Sequence, residues 1–393
     1  INYATFNKDA LVIAAAGNSG DESIFFPASM ENVISVAGTD MNDVKYEQVT
    51  SPTSSSNYGI YIDICAPGFN IYTTTNGGGY GYSNSGTSYS APLVSGCAAI
   101  VRSHFPSLNA LQIGEQLKVT ADDIDTIQGN LSFAGKLGGG RINLYKALTD
   151  TSNPSIVMKN KLITDGNDGT FQAGETVFIE GAFVNYLWPA TNLDISLSST
   201  SPYVSIANGS FNAGTINTLD SISNTTSPFT FQLDASTPYN ELIELRIDYS
   251  DGGYSGFEYI GITVNPDWIN MDINEISTTV TSESTFGYTN PDYPIQPAGL
   301  GFQFNGSQML YEGGFMIGAK KSELVSVSDN LRDSLGIDSD FSRVLATSDI
   351  SPTIHGDKEV KVTISDTGNT NSLGILVKQT SYAWDTTPDD NYV

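Results

Sequence analysis

Histidine is almost missing from this chain, with only His104 and His355 in 393 residues. Any chemistry that needs an imidazole base must draw on one of those two or on another polypeptide. Cysteine is just as scarce. Cys65 and Cys97 sit in the apolar stretches "IDICAPG" and "VSGCAAIV", so they are either free buried thiols or one disulfide, and a CxxC metal site is excluded. Positive charge is the third shortage. Seventeen Lys and Arg face 43 Asp and Glu, a formal net charge of -26. That balance argues against nucleic acid or an anionic membrane as partner, and leaves solubility or a calcium-rich extracellular surface as its meaning. No apolar run reaches the ~18 residues of a membrane span, so no transmembrane segment is expected. The opening "INYATFNKDALVIAAAGN" carries no charged-then-apolar signal and runs straight into a core strand, which reads as a cut product or a domain already under way.

What is present divides by texture. The length suits two to four domains. Up to about residue 150 the pattern is α/β. "LVIAAA" (11–16), "VISVAG" (33–38) and "YIDICA" (61–66) are short apolar runs of the kind buried on both faces of a parallel sheet. "SYSAPLVSGCAAIVRSHF" (88–105) predicts a helix buried on most faces, and "SLNALQIGEQLKVTA" (107–121) a second helix capped by Ser107. Beyond "TDTSNPS" (149–155), alternating runs such as "TVFIEGAFV" and "LIELRIDY" predict an antiparallel β-sandwich. A further break near "NPDWINMDINE" (265–275) precedes "LGFQFNG", "LVSVSD", "EVKVTIS" and "LGILVKQTSYAW". Three domains are therefore expected, at 1–150, 151–266 and 267–393, the first α/β and the other two mainly antiparallel β-sandwiches.

The chemistry concentrates in "SNSGTSYSAPLVSG". Ser88 would stand in the first turn of a helix, where unpaired N–H groups and the positive end of the helix dipole suit an oxyanion. Alone, it reads equally as a helix-capping serine. In "AAAGNSG" a buried strand ends at Gly17 and Asn18. An asparagine at the C-terminal edge of a parallel sheet lies where open α/β folds bind ligands, and its side-chain N–H can donate to an oxyanion. Alone, it reads equally as a turn residue.

In order, "LVIAAAGNSG", "FFPASMENVISVAGTD", "IDICAPG", "SNSGTSYSAPLVSG", "RSHFPSLNALQI" and "GKLGGGRINLYKAL" resemble the subtilisin-like serine peptidases over residues 1–148. The resemblance implies that Ser88 is the nucleophile and that Asn18 and the Ser88 N–H are the oxyanion donors. It also implies that Ala15, Ala16 and Gly17 line a wall of the primary substrate pocket. Phe25, at a position often small in the family, implies a shallow pocket. The family runs Asp, His, Ser in chain order, so both partners of Ser88 are expected on an upstream segment or separate chain. His104 cannot replace them. It lies sixteen residues along the same predicted helix, about 24 Å away, whereas a base must come within about 3 Å.

"TDGNDGTFQAGE" (164–175) sets Asp165, Asn167, Asp168 and Glu175 around glycines, either a calcium site or a polar hairpin. The expectation is thus an extracellular or cell-surface bacterial endopeptidase with a protein or peptide substrate. The alternative is a structural or adhesive surface protein with a degenerate peptidase domain.

Overall fold

Strands that must be buried on both faces need cover on both sides, and the apolar runs of the N-terminal region obtain it. The structure, a computed structural model, describes residues 1–48, 55–82, 85–166, 170–285, 300–305, 307–310, 313–321, 324–330, 332–333, 336–337, 340–350 and 353–385. A short helical turn, Tyr3–Asn7, leads into β1 (Val12–Ala15), which pairs in parallel with β2 (Val33–Thr39), and β2 pairs with β3 (Ile64–Pro67). Every residue of β2 is buried. A small exposed hairpin follows, β4 (Tyr72–Thr74) and β5 (Tyr80–Tyr82). Three helices come next: α1 (Thr87–His104), α2 (Ala110–Val119) and α3 (Leu144–Thr149).

One face of the parallel sheet, with Ile34, Val36, Ile64 and Ala66, packs on Val94, Ala98 and Val101 of α1, Ile113 and Leu117 of α2, and Ala147 of α3. The other face gathers Ala16, Ala37 and Cys65 with Ile124 and Leu137. The outer edge of β3 is covered, since the Cys65 N–H donates to the Gly140 carbonyl and the Ile142 N–H to the Cys65 carbonyl. Cys65 belongs to one side of the sheet and Cys97 of α1 packs on the other, and both are free thiols. Burial pushes the Cys65 thiol far up, so it stays protonated and inert.

Two sequence expectations need correction. The α2 cap is Asn109, not Ser107. Asn109 accepts from the Gln112 N–H at 3.0 Å while Gln112 Oε1 accepts from the Asn109 N–H at 3.1 Å, a reciprocal capping box that outcompetes a lone serine two residues earlier. Helix α1 is not buried on most faces. Its buried positions, Thr87, Ser90, Val94, Ala98 and Val101, form one stripe, whereas Leu93 and Ile100 are 41% and 47% exposed. Small residues made the helix look apolar all round, but the sheet covers only one side.

The closing segment of this region is locked to the end of α2 through Asp122. Backbone bonds join Asp122 and Arg141 in both directions, and the carboxylate accepts from Lys146 Nζ at 2.7 Å, from Asn143 Nδ2 and from the Arg141 guanidinium. Burial alone would raise the Asp122 carboxyl, but these donors outweigh it and hold it at about 2. A folded value below the unfolded one gives stability that is complete above about pH 4 and disappears as pH falls toward 2. With the side chain a quarter exposed, the contribution is at most about 2 kcal/mol. Asp122→Asn is therefore expected to lower the melting temperature at pH 6 and to lower it much less at pH 2.5. An equal difference at both pH values would contradict this.

The remaining chain is antiparallel. Strands β6 (Ile156–Thr164), β7 (Thr176–Asn185), β8 (Ala190–Ser198), β9 (Val204–Asn208), β10 (Ser210–Ile216), β11 (Ser221–Ser223), β12 (Phe229–Leu233), β13 (Glu241–Asp251) and β14 (Tyr254–Val264) make two sheets, β10-β8-β13-β14 and β11-β7-β12-β9 with β6 added on β7. Strict alternation along β7 turns Val177, Ile179 and Phe183 inward, where they meet Ile243, Leu245 and Ile247 of β13 in one sandwich-like core. Beyond it lie β15 (Trp268–Met271), β16 (Ile276–Thr281), β17 (Phe302–Phe304), β18 (Ser307–Gln308), β19 (Met316–Lys321), β20 (Leu324–Asp329), β21 (Arg332–Asp333), β22 (Gly336–Ile337), β23 (Ser342–Asp349), β24 (Lys358–Ser365) and β25 (Leu376–Ala383). These form separate small sheets, chiefly β15-β16-β17-β18 and β23-β24-β25, around Met271, Val280, Phe341, Val360, Val362 and Ile364. Strand β15 falls inside the stretch read as a break, and β23 had no alternating signature. Both are held by packing rather than by local pattern.

Candidate active site

The site forms where β1 ends and α1 begins. Gly17 follows the strand with φ +106°, a left-handed conformation, and a Cβ there would come within 2.5 Å of Asn57 Nδ2. Only glycine fits, because both the backbone and the space forbid a side chain. Thr87, wholly buried as the first residue of α1, clamps the junction. Its hydroxyl donates to the Gly17 carbonyl at 3.2 Å and accepts from the Gly17 N–H at 3.3 Å. Ser90, one turn on, donates to the Ala66 carbonyl at 3.0 Å and fixes α1 against β3.

Asn18 and Ser88 are brought together by this clamp. Asn18 Oδ1 accepts from the Thr87 N–H at 2.9 Å and from the Tyr46 hydroxyl at 2.5 Å. Two donors on the oxygen determine the amide orientation, and none of the described acceptors takes Nδ2. Ser88 is exposed, next to Thr87. In the first turn of α1 the Thr87 N–H goes to Asn18 and the Tyr89 N–H to the Gly86 carbonyl, while the Ser88 N–H donates to none of the described groups. A Cβ placed on Gly86 would lie 3.8 Å from both Asn18 Oδ1 and the Ser88 nitrogen. The Asn18 carboxamide thus stands at the helix start that carries the Ser88 N–H and the exposed Ser88 side chain.

Two further residues build the site without any signal that sequence reading used. Tyr46 is 1% exposed, and burial pushes its phenol up to about 12, so it remains a neutral donor to Asn18 at ordinary pH. Gly38 and Gly68 leave room for its ring. Asn57 holds the loop after β1. Its Oδ1 accepts from the Ser19 and Gly20 N–H groups at 2.7 and 3.0 Å, and its Nδ2 donates to the Ala16 carbonyl at 3.1 Å. "SSSNYG" is a turn-like run whose asparagine finds this loop only in three dimensions.

Ala15 is the last residue of β1, and Ala16 is buried behind Gly17. Phe25 comes within 3.2 Å of where a Gly17 Cβ would stand, and its ring is 46% exposed, so it borders the same opening. His104 is at the far end of α1, exposed, with its ring edge-on to Phe105. His355 lies in the loop before β24, edge-on to Tyr382. Neither imidazole approaches Ser88. Among the described residues no group of three or more His, Cys, Asp or Glu is placed to hold a metal. Of the four residues read as calcium ligands, Asn167 and Asp168 lie outside the described residues, and Glu175 accepts from the Gln172 N–H at 2.7 Å within a turn.

Residues 1–152 match the profile of the Subtilase family, peptidase group S8. The chain is 40% identical over 149 residues to a thermophilic serine proteinase of Bacillus sp. (strain AK1), covering 38% of this chain and 33% of that protein. It is also 40% identical over 148 residues to thermitase of Thermoactinomyces vulgaris, covering 38% of this chain and 47% of that protein. A solved structure of the prenylagaramide maturation protease is 28% identical, over 37% of this chain and 51% of that one, at a TM-score of 0.31. The chain therefore spans one third to one half of the length of these proteins. Its N-terminal portion is homologous to the subtilisin-type serine peptidases, and distinct antiparallel sheets follow it.

Proposed function

We propose that this chain supplies the nucleophile and the oxyanion donors of an exported bacterial serine endopeptidase acting on protein or peptide substrates. The observation that carries the reading is Asn18, whose amide oxygen is held by Tyr46 and by Thr87 at the start of the helix that bears Ser88, which leaves Nδ2 without a partner among the described residues. In this proposal Ser88 Oγ attacks the scissile carbonyl carbon while its proton passes to a base. The negative charge that develops on the carbonyl oxygen is met by Asn18 Nδ2 and the Ser88 N–H, and collapse expels the amine and leaves an acyl-enzyme that water hydrolyses. Ala15, Ala16, Gly17 and Phe25 border the substrate side chain, and the exposed Phe25 ring suits a shallow pocket.

The base and its orienting carboxylate come, in this reading, from an upstream segment or separate chain bearing Asp and His. Two features support it. No strand among the described residues pairs with the outer edge of β1, and the adjacent outward face of α1 exposes Leu93 and Ile100. An unpaired strand edge next to apolar side chains suits another chain segment rather than water. The same proposal keeps calcium in the 165–175 turn, where carboxylate and amide oxygens are the ligands a hard cation takes. The antiparallel sheets anchor the enzyme or control access to it. The adhesive alternative gives no reason for an oriented Asn18 beside an exposed Ser88.

Active-site labelling with a fluorophosphonate tests the reading. Ser88 is expected to be labelled when a polypeptide carrying the upstream Asp and His is present, and to stay unlabelled without it. Absence of label with that polypeptide bound would defeat the proposal.

A further inference from the structure

Far in sequence from Ser88, a cavity of about 370 Å³ opens between β16 and β17 on one side and the outer edge of β25 on the other. Thr278 of β16 stands opposite Phe302 of β17 in the ladder, and both line the cavity. Across from them stand Gln379, Thr380 and Tyr382 of β25 and, just past the strand, Trp384. Val280 and Ala383, one from each wall, are buried in the same core.

The aromatic wall is fixed before any ligand arrives. Trp384 Nε1 donates to the His355 carbonyl at 3.0 Å, and the Trp384 carbonyl accepts from Asn274 Nδ2 at 3.1 Å. The Trp384 ring lies 6.1 Å from that of Tyr382 at a tilt of 31°, and Tyr382 is braced edge-on by His355. The polar groups, in contrast, are unused. The hydroxyls of Thr278, Thr380 and Tyr382 donate to none of the described groups, and none of them is sealed from solvent. Gln379 donates to Ser381 Oγ at 3.2 Å, which leaves its amide oxygen available.

We infer that this cavity binds a neutral saccharide. Three aromatic rings offer flat apolar surface to the C–H face of a sugar ring, and the hydroxyls and amide stand where they can pair with its hydroxyls. Among the described residues that line the cavity there is no Asp, Glu, Lys or Arg, so none of them balances a charged ligand. The volume is at the small end of the usual range of about 300–1,000 Å³, the size for one or two sugar rings or the end of a glycan.

Saturation-transfer NMR on the intact chain with cellobiose, chitobiose, maltose and lactose tests the inference. At least one disaccharide is expected to bind, with Trp384→Ala weakening it by about tenfold or more. Thr380→Val, which keeps the side-chain shape, is expected to weaken it about threefold at unchanged melting temperature, and it decides the matter where Trp384→Ala fails to fold. No transfer to any of the four at about 20 mM would overturn the inference, since that limits affinity to a level without binding value. Undiminished binding by either folded variant, or equal transfer to a neutral tripeptide, would also overturn it. The outcome is independent of Ser88 chemistry.

Discussion

Under the proposed function, replacing Ser88 by alanine in the chain combined with a polypeptide that carries the Asp and His is expected to lower peptide-bond turnover by about 10⁶ and to abolish fluorophosphonate labelling, with stability unchanged. The magnitude is the one established for the nucleophile of subtilisin itself. The physical reason is that alanine removes the only atom that can form the acyl bond. What remains, substrate binding and the oxyanion donors, does not make that bond. Stability should hold because Ser88 is exposed and its side chain donates to none of the described groups, whereas the neighbouring Thr87 and Ser90 carry the hydrogen bonds that seat α1. Steady-state hydrolysis of a chromogenic peptide and thermal unfolding check both halves. A variant that keeps more than about a hundredth of parental turnover would remove Ser88 from the role of nucleophile.

Asn18→Ala is expected to reduce kcat by roughly 10²–10³ with little change in KM, the effect known for the corresponding subtilisin asparagine. The split follows from timing, because Nδ2 meets a full negative charge only as the tetrahedral species forms. Asn18 also accepts two hydrogen bonds, so the variant frees the Tyr46 hydroxyl and the Thr87 N–H as well. Tyr46→Phe separates the two contributions. It leaves Nδ2 in place and removes one of the donors that orient it, and a loss of about fivefold in kcat is expected from one hydrogen bond of about 1 kcal/mol. A rise in KM with kcat unchanged for Asn18→Ala would mean that the side chain binds ground state and transition state alike, and it would cease to be an oxyanion donor.

Much of the N-terminal fold was legible in the sequence. The runs at 11–16, 33–38 and 61–66 became β1, β2 and β3 because a strand covered on both faces has no room for polar alternation. The helix starting at Thr87 was likewise readable, since small residues and a Gly-Thr turn mark its start. Its exposure was not. Leu93 and Ile100 are as apolar as Val94 and Val101, and only the position of the sheet decides which pair is buried. The antiparallel class of the rest was legible from alternation in β7 and β13, but β15 and β23 lacked that pattern and depend on their neighbours.

For the site, the sequence by itself determined the residue types and their order: an asparagine at a strand end, a serine at a helix start, and no histidine within reach of it. Helical rise alone was enough to exclude His104. Tertiary structure decided everything that depends on atoms from separate segments meeting. Tyr46 and Asn57 are unremarkable in their local context, and they matter because the parallel sheet brings residues 17–18, 46, 57 and 87 to one edge. The orientation of an amide is set by which donors surround it, and those donors come from two other loops. The same reason explains the C-terminal cavity. Thr278, Phe302 and Trp384 are separated by up to about a hundred residues of chain, and only the packing of two small sheets makes them face one another.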